Sequence, residues 1–245
     1  NMTANRGNVL ETRYRQLWDK TDLDASIYTG NVSTFEKNRE FVSAADLKMN
    51  STIRNNWKVN LNFKRSSQDT FLRRYGLNSN TALKSEFTGS KTTNNSFYNV
   101  EFSEVQNLTD TSINKNSPRI LPSITFEQTR KGFIKDQDLT TKMHANHVSN
   151  DLGHDITRWN IQQTAFTSDE NSLGVIDSEI GYLGSFYQVN KRNDGFTKTG
   201  EIARANLHAS VGWRQYYNYM INKKSLITEP KIKLTFIGGD DKNND

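Results

Sequence analysis

His144, His147, Asp151, His154 and Asp155 bring five potential metal ligands into one short stretch. A zinc or similar ion needs such side chains to converge on one point at about 2 Å. In an extended chain His144 and His147, an odd number of residues apart, leave the backbone on opposite faces, so this spacing argues against a shared ion. Serine, histidine and aspartate are also present for nucleophilic chemistry. However, no Gly-x-Ser-x-Gly elbow and no phosphate-binding glycine loop ties them into a site. The absence of Cys excludes disulfides, zinc–thiolate centres and Cys nucleophiles. The sequence therefore predicts no catalytic centre, no metal and no cofactor.

A second set of polar side chains is arranged differently. Lys58, Asn60, Asn62 and Lys64 alternate with Trp57, Val59, Leu61 and Phe63, which predicts a strand with one wet and one apolar face. Arg204, Asn206, His208 and Arg214 repeat the pattern against Ala203, Ala205, Leu207 and Trp213. These strands are longer than the usual five or six residues and suit a tilted bilayer crossing, which needs roughly nine to eleven. Alternation and turn residues predict twelve strands, at about 8–18, 22–30, 41–51, 55–66, 81–89, 96–106, 119–129, 137–149, 155–167, 173–189, 201–216 and 226–237. Their apolar register includes Ala45, Leu47 and Met49; Leu83, Ser85 and Phe87; and Tyr98, Val100 and Phe102. Polar connections are expected at 67–69, 89–95, 110–116, 150–154, 190–195 and 221–225.

Composition fits this reading. Only 33% of the 245 residues are hydrophobic, which alone suggests a solvated chain, yet 13 Phe, 9 Tyr and 4 Trp fall in alternating segments. A transmembrane barrel reconciles the two, since its lumen and loops are polar and one strand residue in two faces lipid. No run approaches the roughly 18 apolar residues of a membrane helix, so any crossing must use strands. The net charge of +5 is dispersed, and without a reader motif or dense basic block nucleic acid is not expected as a partner. The chain opens on Asn1 without an apolar leader and reads as a mature or excised segment. No shift in composition marks a second domain, so residues 1–245 are expected to form one all-β unit.

Four segments carry a more specific signal. They are Asp69-Thr70-Phe71-Leu72-Arg73-Arg74-Tyr75-Gly76, Pro118-Arg119-Ile120-Leu121-Pro122, Asp155-Ile156-Thr157-Arg158 and Ile227-Thr228-Glu229-Pro230. In order and spacing they resemble the lipopolysaccharide-assembly outer-membrane barrel family (LptD/Imp/OstA) over roughly residues 10–245. The first two segments are fairly specific and the last two weak. The resemblance implies a non-enzymatic protein of the Gram-negative outer membrane that delivers lipopolysaccharide to the outer leaflet. Its implied partners are lipopolysaccharide, outer-membrane lipid, a plug lipoprotein inside the barrel and periplasmic bridge proteins. The family's barrel has about twice as many strands as are found here, so the resemblance implies that the chain is a central segment of an antiparallel transmembrane β-barrel, an incomplete barrel of about twelve up-and-down strands without the preceding periplasmic jelly-roll domain and the remaining strands. The family's disulfide Cys are absent.

On this reading Lys58, Asn60, Asn62, Lys64, Arg204, Asn206, His208 and Arg214 line the lumen, either touching plug or phosphorylated sugar or forming a generic wet interior. Trp18, Trp57, Trp159 and Trp213 fall on the apolar register and are expected in the membrane girdle. Arg73 and Arg74 either meet an anionic lipid or the substrate or hold a turn, and Pro118 and Pro122 start or weaken a strand. Two other readings compete: another outer-membrane barrel, such as a porin or receptor, and a soluble surface all-β binding protein.

Overall fold

The computed structural model describes residues 8–33, 39–109, 117–134, 136–151, 154–191, 200–221 and 224–239. In chain order the elements are β1 (Val9–Trp18), β2 (Thr21–Ser33), β3 (Arg39–Ile53), β4 (Trp57–Ser66), α1 (Phe71–Arg74), β5 (Ala82–Thr92), β6 (Ser96–Asn107) and β7 (Arg119–Lys131). They continue with β8 (Gln137–Ser149), β9 (His154–Asn171), β10 (Gly174–Lys191), β11 (Gly200–Arg214), β12 (Tyr217–Ile221), β13 (Lys224–Thr228) and β14 (Lys231–Gly239). β1 to β11 pair antiparallel in chain order and β14 joins β11, giving a twelve-stranded up-and-down sheet. Among the described residues β1 and β14 are its edges, so the sheet is an open segment.

Turn chemistry sets the register at one end of the sheet. Only two residues separate β1 from β2, and likewise β9 from β10, while Asn55 and Asn56 turn β3 into β4 with φ of 60° and 61°. Asparagine tolerates that left-handed region because its short side chain bonds locally. Connections at the other end are longer, and one of them folds back over the sheet.

Cross-strand register sorts the side chains into two faces. On one, Leu23, Met49, Leu61, Phe87 and Phe102 follow one another from β2 to β6. Tyr98, Phe126, Met143 and Ile161 continue it from β6 to β9. Tyr182 and Leu207, then Val211 and Leu234, extend it to the last strand. Many of these large apolar groups are exposed, Leu207 to 66% and Leu234 to 61%. A contiguous apolar face of this extent is what a membrane or another protein covers. The opposite face is mainly polar, although Leu17, Phe97, Leu183, Ile202 and Ile237 stand on it by register, and Val42, Ala44, Phe71, Leu72, Leu83 and Leu108 form a buried cluster at the end of the sheet that carries the longer connections.

Three sequence expectations need correction. Leu83 belongs to the buried cluster and not to the exposed apolar register. The Ser85 hydroxyl bonds both the N–H and the C=O of Lys64, so β4 and β5 part there and Leu83 packs against α1. Gly89 lies within β5, where it pairs with Val59 and Val100, and the turn follows at 93–95. Residues 217–221 and 224–228, where the sequence predicts a connection at 221–225 and the start of a strand at 226, are the two strands of the separate β12–β13 pair. The expected connections at 110–116 and 192–195 lie outside the described residues.

Candidate functional site

All eight basic and amide residues singled out on β4 and β11 share the polar face. The register joins Asp46 to Lys64, Lys48 to Asn62, Asn50 to Asn60 and Thr52 to Lys58 across β3 and β4. On β11, Arg204, Asn206, His208 and Arg214 face Ser185, Leu183, Gly181 and Val175 of β10. Charges on this face are partly matched. Lys64 Nζ lies 3.3 Å from Asp46, His208 Nε2 lies 3.1 Å from Glu179, and Lys233 Nζ lies 3.5 Å from the other oxygen of Glu179. Arg214 reaches Asp177 at 3.3 Å, while Arg13 and Arg15 share Asp24. Water reaches all of these pairs and screens them, so they shape the potential of the face more than its stability.

One transverse row differs from its neighbours. From β3 it passes Thr52, Lys58, Ser90 and Asn99. It continues through Thr125, His144, Asn160, Ser185 and Arg204 to β11. Every member is a hydroxyl, an amide, an imidazole or a cation, and none is a carboxylate. The row on one side carries Asp22 and Glu101, and the row on the other carries Glu127. Within the row the Thr125 hydroxyl and His144 Nδ1 are 3.1 Å apart. The Asn160 amide, oriented by its partners, donates to Ser185 Oγ at 2.9 Å and accepts from Arg158 Nε at 3.0 Å. These groups line an open hollow of about 380 Å³.

The chemistry considered first does not assemble. His144 pairs with Thr125 on the polar face, whereas His147 bonds Thr157 on the apolar one. Asp155 accepts from Ser149 Oγ and Asn150 N at 3.0 and 3.1 Å, closing the β8–β9 turn, and Asp151 pairs with Arg119.

The family model described as LPS transport system D matches residues 37–244. The chain belongs to that family. Comparison with curated proteins gives no match. The family is one of outer-membrane proteins that act in lipopolysaccharide transport and assembly, and it is a transport family and not an enzyme family. No helix among the described residues is long and apolar enough to cross a membrane, which says nothing of strands.

Seen as parts of such a protein, the motif residues occupy four places. Phe71 and Leu72, 0% and 5% exposed, anchor α1 in the buried cluster, and the Tyr75 ring meets Phe71 edge-on at 5.5 Å. Arg73 and Arg74 are exposed on the same short helix, and Asp69 precedes it. Pro118 stands before β7, and Leu121 and Pro122 lie in its first turn-proximal residues, where pairing with both β6 and β8 changes register. Pro230 stands before β14 and its carbonyl accepts from Gln215 N at 3.2 Å. The Arg158 guanidinium lies 4.9 Å over the Tyr187 ring on the polar face.

All four Trp residues are on the apolar face. Trp57 begins an aromatic run with Tyr98 at 6.3 Å and Phe126 at a further 5.1 Å. Trp213 Nε1 donates to Leu173 O at 2.7 Å, joining it to the β9–β10 turn. Sequence reasoning missed the joint made by Gln106, whose amide accepts from Ser66 N and donates to Ser66 O, at 3.0 and 2.7 Å, where β4 has lost β5. No pattern within a single strand signals that contact.

Proposed function

We infer that the chain forms part of the wall of an outer-membrane barrel that delivers lipopolysaccharide to the outer leaflet. The observation that carries this is the continuous division of twelve long strands into an apolar and a polar face, in a chain of the LPS transport system D family. The apolar face lies against lipid, with Trp18, Trp57, Trp159 and Trp213 in its girdles. The polar face borders water, and there Lys58, Asn60, Asn62, Lys64, Arg204, Asn206, His208 and Arg214 meet the sugar portion of the substrate or a plug lipoprotein. Residues 1–245 act as one barrel-domain segment, supplied with substrate by periplasmic bridge proteins, and Arg73 and Arg74 present charge to anionic groups at the rim. The reaction is movement of an intact lipid, with no bond made or broken.

The test is arrival of newly made lipopolysaccharide at the cell surface after depletion of the whole protein. Arrival should stop and resume on re-expression. Undiminished arrival in depleted cells would sink the reading.

A further inference from the structure

We propose that the carboxylate-free row is a glycan track, the line along which the polar face holds the hydroxyl-rich part of the lipid it moves. The proposal rests on the function inferred above and adds which residues do the holding. Its first support is chemical. Sugar hydroxyls both donate and accept, and they are matched by amides, hydroxyls and imidazole, which do the same. Phosphate or carboxylate substituents on the sugars are repelled by fixed carboxylates and drawn to cations. Thr125, His144, Asn160 and Ser185 supply the neutral groups in the middle of the row. Lys58 and Arg204 stand near its ends, exposed and without a carboxylate partner among the described residues.

The second support is direction. Lys58 is the second residue of β4, beside the short β3–β4 turn, whereas Arg204 is close to the start of β11, at the opposite end of the sheet. A row perpendicular to the strands thus runs diagonally from one mouth of the wall to the other. From β4 to β11 it takes seven steps of about 4.8 Å, or about 34 Å. With strands tilted about 40°, it rises about 22 Å, close to the height of the apolar band of such barrels. A molecule following the row would find a hydrogen-bonding group at every strand, the carboxylates standing only in the rows on either side.

The third support is room and charge. The hollow of about 380 Å³ is lined by the four central residues together with Arg158 and the Lys142–Glu127 pair, whose oxygen and nitrogen are 3.1 Å apart. Two cations against one carboxylate leave it a surplus positive charge.

The test places a benzophenone amino acid at single positions of the whole protein in its own outer membrane. Irradiated adducts are then probed for lipopolysaccharide glycan. Replacement of His144 or Ser185 should capture glycan about three- to tenfold more than replacement of Asp24 or Asp177, a margin equal to about one hydrogen bond. Ala145 and Phe186, on the apolar face, should capture phospholipid. Equal capture at all polar positions would overturn the track while leaving the inferred function in place. Glycan capture at no polar-face position would remove both. A second measurement uses Asn160→Asp, with Asn160→Ser as its neutral counterpart. The carboxylate should lower capture at Ser185 by about three- to tenfold and the serine by less than about twofold. Equal capture in the two variants, with both assembled in the membrane, would also overturn the track.

Discussion

Phe71→Ala removes the largest fully buried side chain of the cluster that α1 makes against the sheet. The ring is 0% exposed and packs among Val42, Ala44, Leu72, Leu83 and Leu108, with Tyr75 edge-on at 5.5 Å. Truncating a buried Phe costs about 3–5 kcal/mol, because the lost transfer energy adds to that of the cavity left behind. The aromatic pair accounts for about 0.5–1.5 kcal/mol of this, so Phe71→Leu, which keeps most of the volume, should cost about 1–2 kcal/mol. In urea, with a slope of about 2 kcal/mol per molar, the midpoint should fall by about 2 M for Phe71→Ala and by under 1 M for Phe71→Leu. The assay is tryptophan fluorescence of the whole protein refolded into lipid vesicles, with Phe133→Ala as reference. Phe133 is 95% exposed in the β7–β8 turn, and its loss should stay within about 0.5 kcal/mol. If Phe71→Ala shifted the midpoint no more than Phe133→Ala, the cluster would contribute nothing to stability and the account of α1 as an anchor would be wrong.

Other perturbations test separate joints. A Cβ at Gly181 would lie 2.5 Å from His208 Cε1 and 2.6 Å from Gln163 O, so Gly181→Ala should cost about 1–3 kcal/mol in the same unfolding assay. Gly212→Ala, whose nearest neighbour would be at 3.6 Å, should be close to neutral there. Gln106→Ala leaves Ser66 N–H and C=O without the amide that bridges them, at a cost of about 1–3 kcal/mol, and hydrogen exchange should show the Ser66 amide opening faster. Asp24→Asn releases two exposed arginines and should give only a small, salt-sensitive shift of the unfolding midpoint, well below that of Phe71→Ala. In single-Trp proteins, lipids brominated near the headgroup should quench Trp18 and Trp159 more than lipids brominated at the chain end; the reverse order would place these residues at mid-membrane.

The strands were legible because burial on one face writes itself into every second residue. Trp57 to Lys64 shows this without any partner in view. What the sequence hid depends on more than one strand. α1 has four residues, too few for a helical period, and Phe71 and Leu72 read only as part of a motif until their burial was visible. The β12–β13 hairpin was hidden because each of its strands has only five residues, too few for alternation to stand out between a strand ending at 216 and one expected to begin at 226. Leu83 kept a lipid-facing parity that the Ser85 contact breaks. The polar residues of β4 and β11 were visible as a set, but their membership of particular rows is fixed by turn lengths along the whole chain. Asn160 and Ser185 were therefore anonymous, and His144 was considered only as a metal ligand.

The two edges of the sheet impose an order in time. β1 has ten residues and β14 has nine, and each is paired on one side only among the described residues. An edge strand leaves about one backbone group per residue unbonded on its outer side, and in hydrocarbon each costs several kcal/mol. That total exceeds the whole stability of an ordinary domain, about 5–15 kcal/mol. The apolar face therefore cannot settle into the bilayer first and wait for its neighbours. Covering the edges and entering the bilayer are coupled: whatever pairs with β1 and β14 must be in place as the apolar face meets hydrocarbon.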